Sequence, residues 1–421
     1  MTDTITEAEQ AGFASDLTQS TTLGESVRAY VNRVRGGDMG ALPSILGLIA
    51  LFVVFWQAND KFLSYLNMAN LITQAGPIVI LAMALVPVLL LGEIDLSAGV
   101  AGGVAACVMG VLIVKHGQPW GVAVLAAIAT GAVIGLVIGL LVAKLGIPSF
   151  VVSLAFFLGL QGVTLKLIGE GGSVRVNQEV IYGIANKNVD PTLGWIVAVV
   201  IIAGFAALSL LRQRRKAAKG LQHQPLAVVI VQIIALAVVI LGVTFVLNQN
   251  RSRNPNFPIE GVPWVLPLIA ALLIGWTFVL GRTSWGRHVY AVGGNAEAAR
   301  RAGINVDRIR ISAFMACSSM AALSLIVQAS VSGKVSTSSG GGNALLYAVG
   351  AAVIGGTSLF GGKGKARDAV IGGLVVATIA NGLGLLNQAS YINFLVTGGV
   401  LLLAASVDAI SRRRRSASGL G

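Results

Sequence analysis

Apolar residues come in long blocks along this chain, separated by short polar breaks. A membrane helix needs about 20 mostly apolar residues to cross the hydrocarbon core, and it satisfies its own backbone polar groups. On that basis spans are predicted near Ala41 to Trp56, Ala75 to Gly92, Ala98 to Val114, Trp120 to Ala143, Pro148 to Ile168 and Leu193 to Leu211. Six more are predicted near Leu226 to Leu247, Val262 to Leu280, Ser312 to Val331, Ala344 to Ile354, Ala369 to Leu386 and Asn393 to Val407. The tenth is short and interrupted by glycine, so the reading is an all-α, polytopic transmembrane bundle of about 12 spans, with 10 to 12 as the range. No polar stretch is long enough to fold alone. The expected organisation is a tail over residues 1–40, one transmembrane domain over 41–411 and a basic tail over 412–421.

Positive charge sets the orientation, because cytoplasmic loops retain Lys and Arg. With the N-terminus inside, the tail holds three basic residues and the inner loops hold Lys144, five from Arg212 to Lys219, six from Arg282 to Arg310 and three from Lys363 to Arg367. Four more stand at Arg412 to Arg415, and only eight of the 30 fall outside. Trp56, Trp120, Trp195 and Trp264 then all lie at the outer boundary, as an aromatic belt would. Both termini are therefore expected in the cytosol. The first forty residues hold Asp3, Glu7 and Glu9 before any basic residue and no apolar h-region, which does not fit a cleaved signal peptide.

Composition agrees: 55% of the 421 residues are apolar and 11% charged, with mean hydropathy +0.82, far from the roughly 25% charge of soluble domains. The 53 glycines follow no three-residue period and suit close helix contacts in lipid. Gly131, Gly135 and Gly139, continued by Ala143, make one smooth helix face for a neighbouring backbone. The net charge of +13 is spread between apolar runs, not gathered in a patch with aromatics, so no nucleic-acid partner is expected. Cys107 and Cys317 lie far apart inside apolar runs and read as ordinary buried thiols.

Nothing in the chain resembles an active site. His116, His223 and His288 are scattered without metal-ligand spacing, and the Gly-rich stretch from Gly355 to Lys365 fails the phosphate-loop pattern at both ends. No metal, no cofactor and no ATP site of its own are expected. Glu93, Asp95 and Ser97 interrupt an apolar region. The residues alone favour a short interfacial loop whose Asp95 or Ser97 caps the next helix, over groups facing a cavity or partner. In the loop 282–310, Asn295 can cap a short helix, Glu297 and Arg301 stand at i and i+4, Ala298, Ala299 and Ala302 form a small apolar face, and Gly303 can end it. A solvated connector and a knob docking into a cytoplasmic partner are equally open readings.

Four motifs occur in order: Glu93-Ile-Asp-Leu-Ser97; Pro148-Ser-Phe150 with Ser153-Leu-Ala155; Gly286-Arg-His-Val-Tyr-Ala-Val-Gly-Gly-Asn295 running into Glu297-Ala-Ala-Arg300 and Gly303-Ile-Asn-Val306; and Gly355-Gly-Thr-Ser-Leu-Phe-Gly-Gly362. Over roughly Leu63 to Val407 the chain thereby resembles the permease subunits of bacterial sugar ATP-binding-cassette importers of the ribose and xylose type. The extra basic loop and hydrophobic pair between Leu193 and Leu247 make it most similar to the xylose type, which implies a pentose. The resemblance implies a type II importer permease in the bacterial inner membrane, a homodimer in lipid with the path between its copies, a cytoplasmic ATPase subunit and an extracytoplasmic sugar-binding protein. It implies ATPase coupling for Asn295, Glu297, Ala298, Arg300, Arg301 and Gly303, and a gating or coupling role for Glu93, Asp95 and Ser97. Where relatives commonly carry Arg-Gly, this chain has Gln161-Gly162, which detaches any role of that arginine from this sequence.

Polar candidates for the substrate path are Gln161, Gln328, Asn381, Asn387 and Gln388, each also suited to helix-to-helix hydrogen bonding. A branched-chain amino acid permease is the nearest rival within the importers. An ion-coupled secondary transporter is disfavoured because such carriers place ionisable groups within their spans, and here only Glu93 and Asp95 come close. A membrane-embedded enzyme would need a convergent set of reactive groups, and none is evident.

Overall fold

The computed structural model describes residues 40–220, 225–252, 254 and 256–417, together with Gly24 and Arg28. Fifteen helices make up about three quarters of it: α1 (Leu42–Ala58), α2 (Tyr65–Leu90), α3 (Ala98–Val114), α4 (Trp120–Lys144), α5 (Ser149–Ile168), α6 (Glu179–Asn186), α7 (Pro191–Ala218), α8 (Leu226–Leu247), α9 (Val265–Arg282), α10 (Ser284–Gly294), α11 (Ala296–Arg301), α12 (Val306–Ser332), α13 (Ala344–Gly355), α14 (Ala366–Leu385) and α15 (Ser390–Ala417). Two short antiparallel pairs, β1 (Ser173–Arg175) with β4 (Lys334–Ser336) and β2 (Asn188–Val189) with β3 (Val262–Pro263), tie loops together. All twelve apolar stretches are helical. Eight of these helices are long and apolar enough to cross a membrane, while α1, α3, α13 and the Phe394–Leu403 part of α15 are shorter. The expected N-terminal tail lies outside the described residues except for Gly24, Arg28 and Gly40; the backbone of α15 runs through Arg412 to Arg415 as far as Ala417.

Polar side chains shift one boundary. The second helix begins at Tyr65, not near Ala75, because Ser64 caps it by accepting from the Asn67 N–H. Asn67 and Asn381 then exchange side-chain amide bonds at 2.9 and 3.0 Å, so polar residues that read as loop are satisfied inside the bundle.

The core mixes antiparallel neighbours, such as α4 with α12, and parallel ones, such as α3 with α12. On α4 the glycine row faces α12: a Cβ on Gly131 would stand 2.5 Å from the Ser318 carbonyl oxygen, one on Gly135 2.4 Å from that of Phe314, and one on Gly139 2.7 Å from the Ile311 Cα. These are backbone atoms and cannot swing aside. Gly135→Ala is therefore expected to lower stability by about 1–3 kcal/mol, read as a fall in melting temperature in detergent. Gly159→Ala on α5, where a Cβ meets nothing within 4 Å, serves as the control and should leave that temperature unchanged or raise it.

The interior is organised as two copies of one arrangement. In each, a long buried helix (α2 or α12) is followed by a non-helical return (91–97 or 333–343), a shorter helix (α3 or α13) and a further helix (α4 or α14). Packing exchanges partners between the copies: α2 and α12 lie against each other, α12 packs on α4 and α3, and α2 packs on α14 and α13. The returns enter from opposite ends. Loops 91–97, 283–305 and 356–365 gather at the α11 end, while α6 and both strand pairs gather at the other.

Candidate functional site

Helix α11 projects from the α11 end as a small charged knob. The Asn295 side chain caps it by accepting from the Ala298 N–H at 2.9 Å, and Gly303, at φ +83°, follows its C-terminus. Glu297 pairs with Arg300 and with Arg301, each at 3.3 Å, and all three are exposed. Of the small residues, Ala299 is buried against the bundle, whereas Ala298 and Ala302 face outward beside the arginines. Among the described residues the outward surface is thus exposed and net positive.

Backbone packing fixes the root of this knob. A Cβ on Gly293 would fall 1.8 Å from the Leu90 carbonyl oxygen and 3.1 Å from the Gly362 nitrogen. The Gly362 N–H donates to that same Leu90 oxygen at 2.8 Å. Gly361 (φ +85°) and Gly92 (φ +74°) adopt left-handed conformations that L side chains rarely take, so the two turns can close on each other here. The Tyr290 hydroxyl donates to the Gly364 carbonyl at 2.7 Å, and burial, with the Asp368 charge adding, holds its pKa above the ordinary tyrosine value, so it stays a donor. Three of the four motifs, those around residues 92, 293 and 361, therefore meet at one point.

From that junction the 91–97 return climbs into the bundle. Glu93 forms an ion pair with Arg310 at 3.2 Å, both groups partly buried, without the alignment of a hydrogen bond. Asp95 is fully enclosed; its Oδ1 accepts from the Ser97 N–H at 2.9 Å and from the Ser97 hydroxyl at 2.6 Å. Among the described residues its Oδ2 has no hydrogen-bond partner, and the carboxylate lies beside Cys317. On α12, Cys317 stands about 10 Å beyond Arg310 at 1.5 Å per residue, so α3 starts well inside the bundle. Ser97 is its N-cap residue, but its side chain makes no capping bond; the hydroxyl turns back to Asp95. The other return meets α3 there: a Cβ on Gly99 would lie 2.5 Å from the Gly340 carbonyl oxygen, and one on Gly103 2.0 Å from that of Ser339. Irregular backbone at this depth is tolerated only when buried in protein or lining a cavity, and these two segments satisfy that by packing on each other.

The path candidates do not converge, and no hydrogen bond joins any two of them among the described residues. Asn381 is committed to Asn67, the helix-to-helix alternative. Asn387 and Gln388 are exposed in the turn after α14, with Asn387 at φ +52°. Gln161 on α5 and Gln328 on α12 make no side-chain hydrogen bond among the described residues, and Gln328 is exposed. Sequence reasoning missed the Leu90–Gly293–Gly362 junction, Tyr290 and Arg310. It also missed a polar hollow of about 700 Å³ at the end opposite α11, lined among others by Arg175, Asn177, Tyr182, Asn186 and Lys334. Arg175 and Lys334 are cross-strand neighbours in the β1–β4 pair; this pairing, made across the fold, leaves no local signal.

The model of a protein family described as "Branched-chain amino acid transport system / permease component" matches residues 67–405. The chain is 33% identical over 371 residues to the xylose transport system permease protein of Escherichia coli (strain K12), covering 88% of this chain and 92% of that protein. It is 32% identical to the xylose transport system permease protein of Haemophilus influenzae, covering 88% and 96%. The ribose import permease protein of Escherichia coli (strain K12) is 30% identical over 369 residues, covering 87% and 92%. No solved structure matches the chain.

Proposed function

Because the chain belongs to this family of transport-system permease components, and its sugar-permease relatives match it along nearly their whole length, we propose that its cargo is a pentose, with xylose first. The protein is the permease subunit of a sugar ATP-binding-cassette importer, a multi-pass protein of the bacterial inner membrane. It is not itself an enzyme; ATP is hydrolysed by a separate ATPase subunit, and the family implies a substrate-binding protein as well. The observation that carries xylose over other sugars is the identity of the two xylose permeases, 33% and 32% against 30% for the ribose permease.

In the proposed working arrangement two copies pair in lipid, twelve segments cross the membrane, α3 and α13 each together with the return before it, both termini lie in the cytosol, and α11 seats in the ATPase. Support comes from the separation of loops into two sets at opposite ends, the one holding α11 also being rich in Lys and Arg. Residues 91–97 then link the knob to the bundle interior, with Glu93 held by Arg310 and Asp95 by Ser97. A neutral sugar needs no fixed counter-charge on its route. Gln161 and Gln328, whose amides make no hydrogen bond among the described residues, are the proposed path contacts. The polar hollow around Arg175 and Lys334 faces the extracytoplasmic side.

Vesicles containing this permease, its ATPase and its binding protein should accumulate labelled xylose when ATP is supplied, with labelled ribose and labelled leucine tested in parallel. Leucine uptake without xylose uptake would assign the cargo to the amino acid branch. Uptake that follows an imposed ion gradient with no ATP would overturn the importer reading.

A further inference from the structure

The α7–α8 hairpin stands apart from the bundle, with most of its apolar surface exposed. At the end opposite α11 it is pinned. The Asn248 amide donates to the Pro191 carbonyl at 3.2 Å, Gly194 lets Val262 and Asn248 approach, and Leu247 is buried in a cluster with Ala69, Val189 and Val262. At the α11 end the two helices part and leave a groove of about 540 Å³. One face of α7, with Ala206 and Leu210, looks across it to Ile230 and Ile234 on α8, and Ala217 and Arg214 stand at its mouth. The small side chains of Ala206 and Ala217 create the hollow.

Around that mouth lie Arg212, Arg214, Arg215, Lys216 and Lys219, all exposed. Residues 191–259 contain no Asp or Glu, and none of the five cations forms a salt bridge among the described residues. An apolar trough that ends in a cluster of uncompensated cations at a membrane boundary matches one chemistry: hydrocarbon chains below and a negatively charged phosphate head above.

We propose that this groove is a binding site for an anionic phospholipid of the leaflet at the α11 end, with an acyl chain wedged between α7 and α8 and the headgroup phosphate held by Arg214. The lipid completes a helix pair that, among the described residues, is pinned only at the opposite end. Its neighbours Arg212, Arg215, Lys216 and Lys219 add field strength without a fixed contact, and the site does not depend on which sugar is carried.

The test uses the full chain purified in mild detergent and offered equal amounts of phosphatidylglycerol and phosphatidylethanolamine, with bound lipid counted by native mass spectrometry. Wild-type protein should retain phosphatidylglycerol roughly tenfold over phosphatidylethanolamine, and Arg214→Gln should lower that retention roughly fivefold. Ala206→Phe, which fills the groove and leaves every cation in place, should remove the bound lipid at an unchanged melting temperature. Ala217→Leu, placed nearer the mouth, is the second filler should the first lower that temperature. Equal retention of the two lipids, retention untouched by either filler, or displacement of the lipid by excess glycerol phosphate would each overturn the site. So would crosslinking of two copies through a cysteine at Ile234, since the groove would then be a protein contact.

Discussion

Exchanging both Arg300 and Arg301 for glutamate is expected to abolish ATP-driven uptake while leaving the permease folded and inserted. Among the described residues the two arginines pair only with Glu297, at 3.3 Å, and all three side chains are well exposed. Exposed pairs of this kind contribute about 0.2–1 kcal/mol, so little folding energy is at stake. The surface offered to a partner changes completely, from net positive to strongly negative, and opposed like charges across an interface cost several kcal/mol. A loss of roughly 100-fold or more in affinity for the ATPase subunit should follow. Co-purification of the two subunits and uptake in vesicles read the result; transport at the wild-type rate would remove α11 from the coupling interface.

The second large effect is expected at Gly293. Its missing Cβ would lie 1.8 Å from the Leu90 carbonyl oxygen, inside a contact made wholly of backbone. Gly293→Ala must push α10 away from α2 or break the Gly362–Leu90 hydrogen bond, at a cost of about 2–3 kcal/mol in packing and a lost buried bond. The neighbouring Gly294→Ala is a strict control, because nothing lies within 4 Å of its would-be Cβ. The Gly293 variant should melt at lower temperature, and whatever protein stays folded should hydrolyse ATP in complex without importing sugar. If both variants behave as wild type, the junction does not constrain the knob.

The helices could be read from the chain because long apolar runs state length and environment directly, and the row Gly131, Gly135, Gly139 stated which face of α4 meets a backbone. Depth could not be read. Ala98 to Val114 looks like any other span, and only the contact of Asp95, just ahead of it, with Cys317 and its own contact with Gly340 show that it starts inside the bundle. Polar residues hid part of the picture: Asn67 and Gln74 made the start of α2 look like loop, and Asn381, equally suited to the path and to helix-to-helix bonding, makes that bond with Asn67. The site was legible as separate pieces. The Asn295 cap and the Glu297–Arg301 pairing follow from local spacing, but Gly92, Gly293 and Gly361 are far apart in sequence and nothing local announces that they touch.

The exchanged packing of the two interior copies has a mechanical consequence. The Leu90–Gly293–Gly362 contact joins the foot of α2, which belongs to one copy, to the turn before α14, which belongs to the other. No deformable side chain intervenes, so a displacement of α11 arrives at both with little damping. Under the proposed coupling, one stroke on α11 would lever the two halves together about a shared fulcrum.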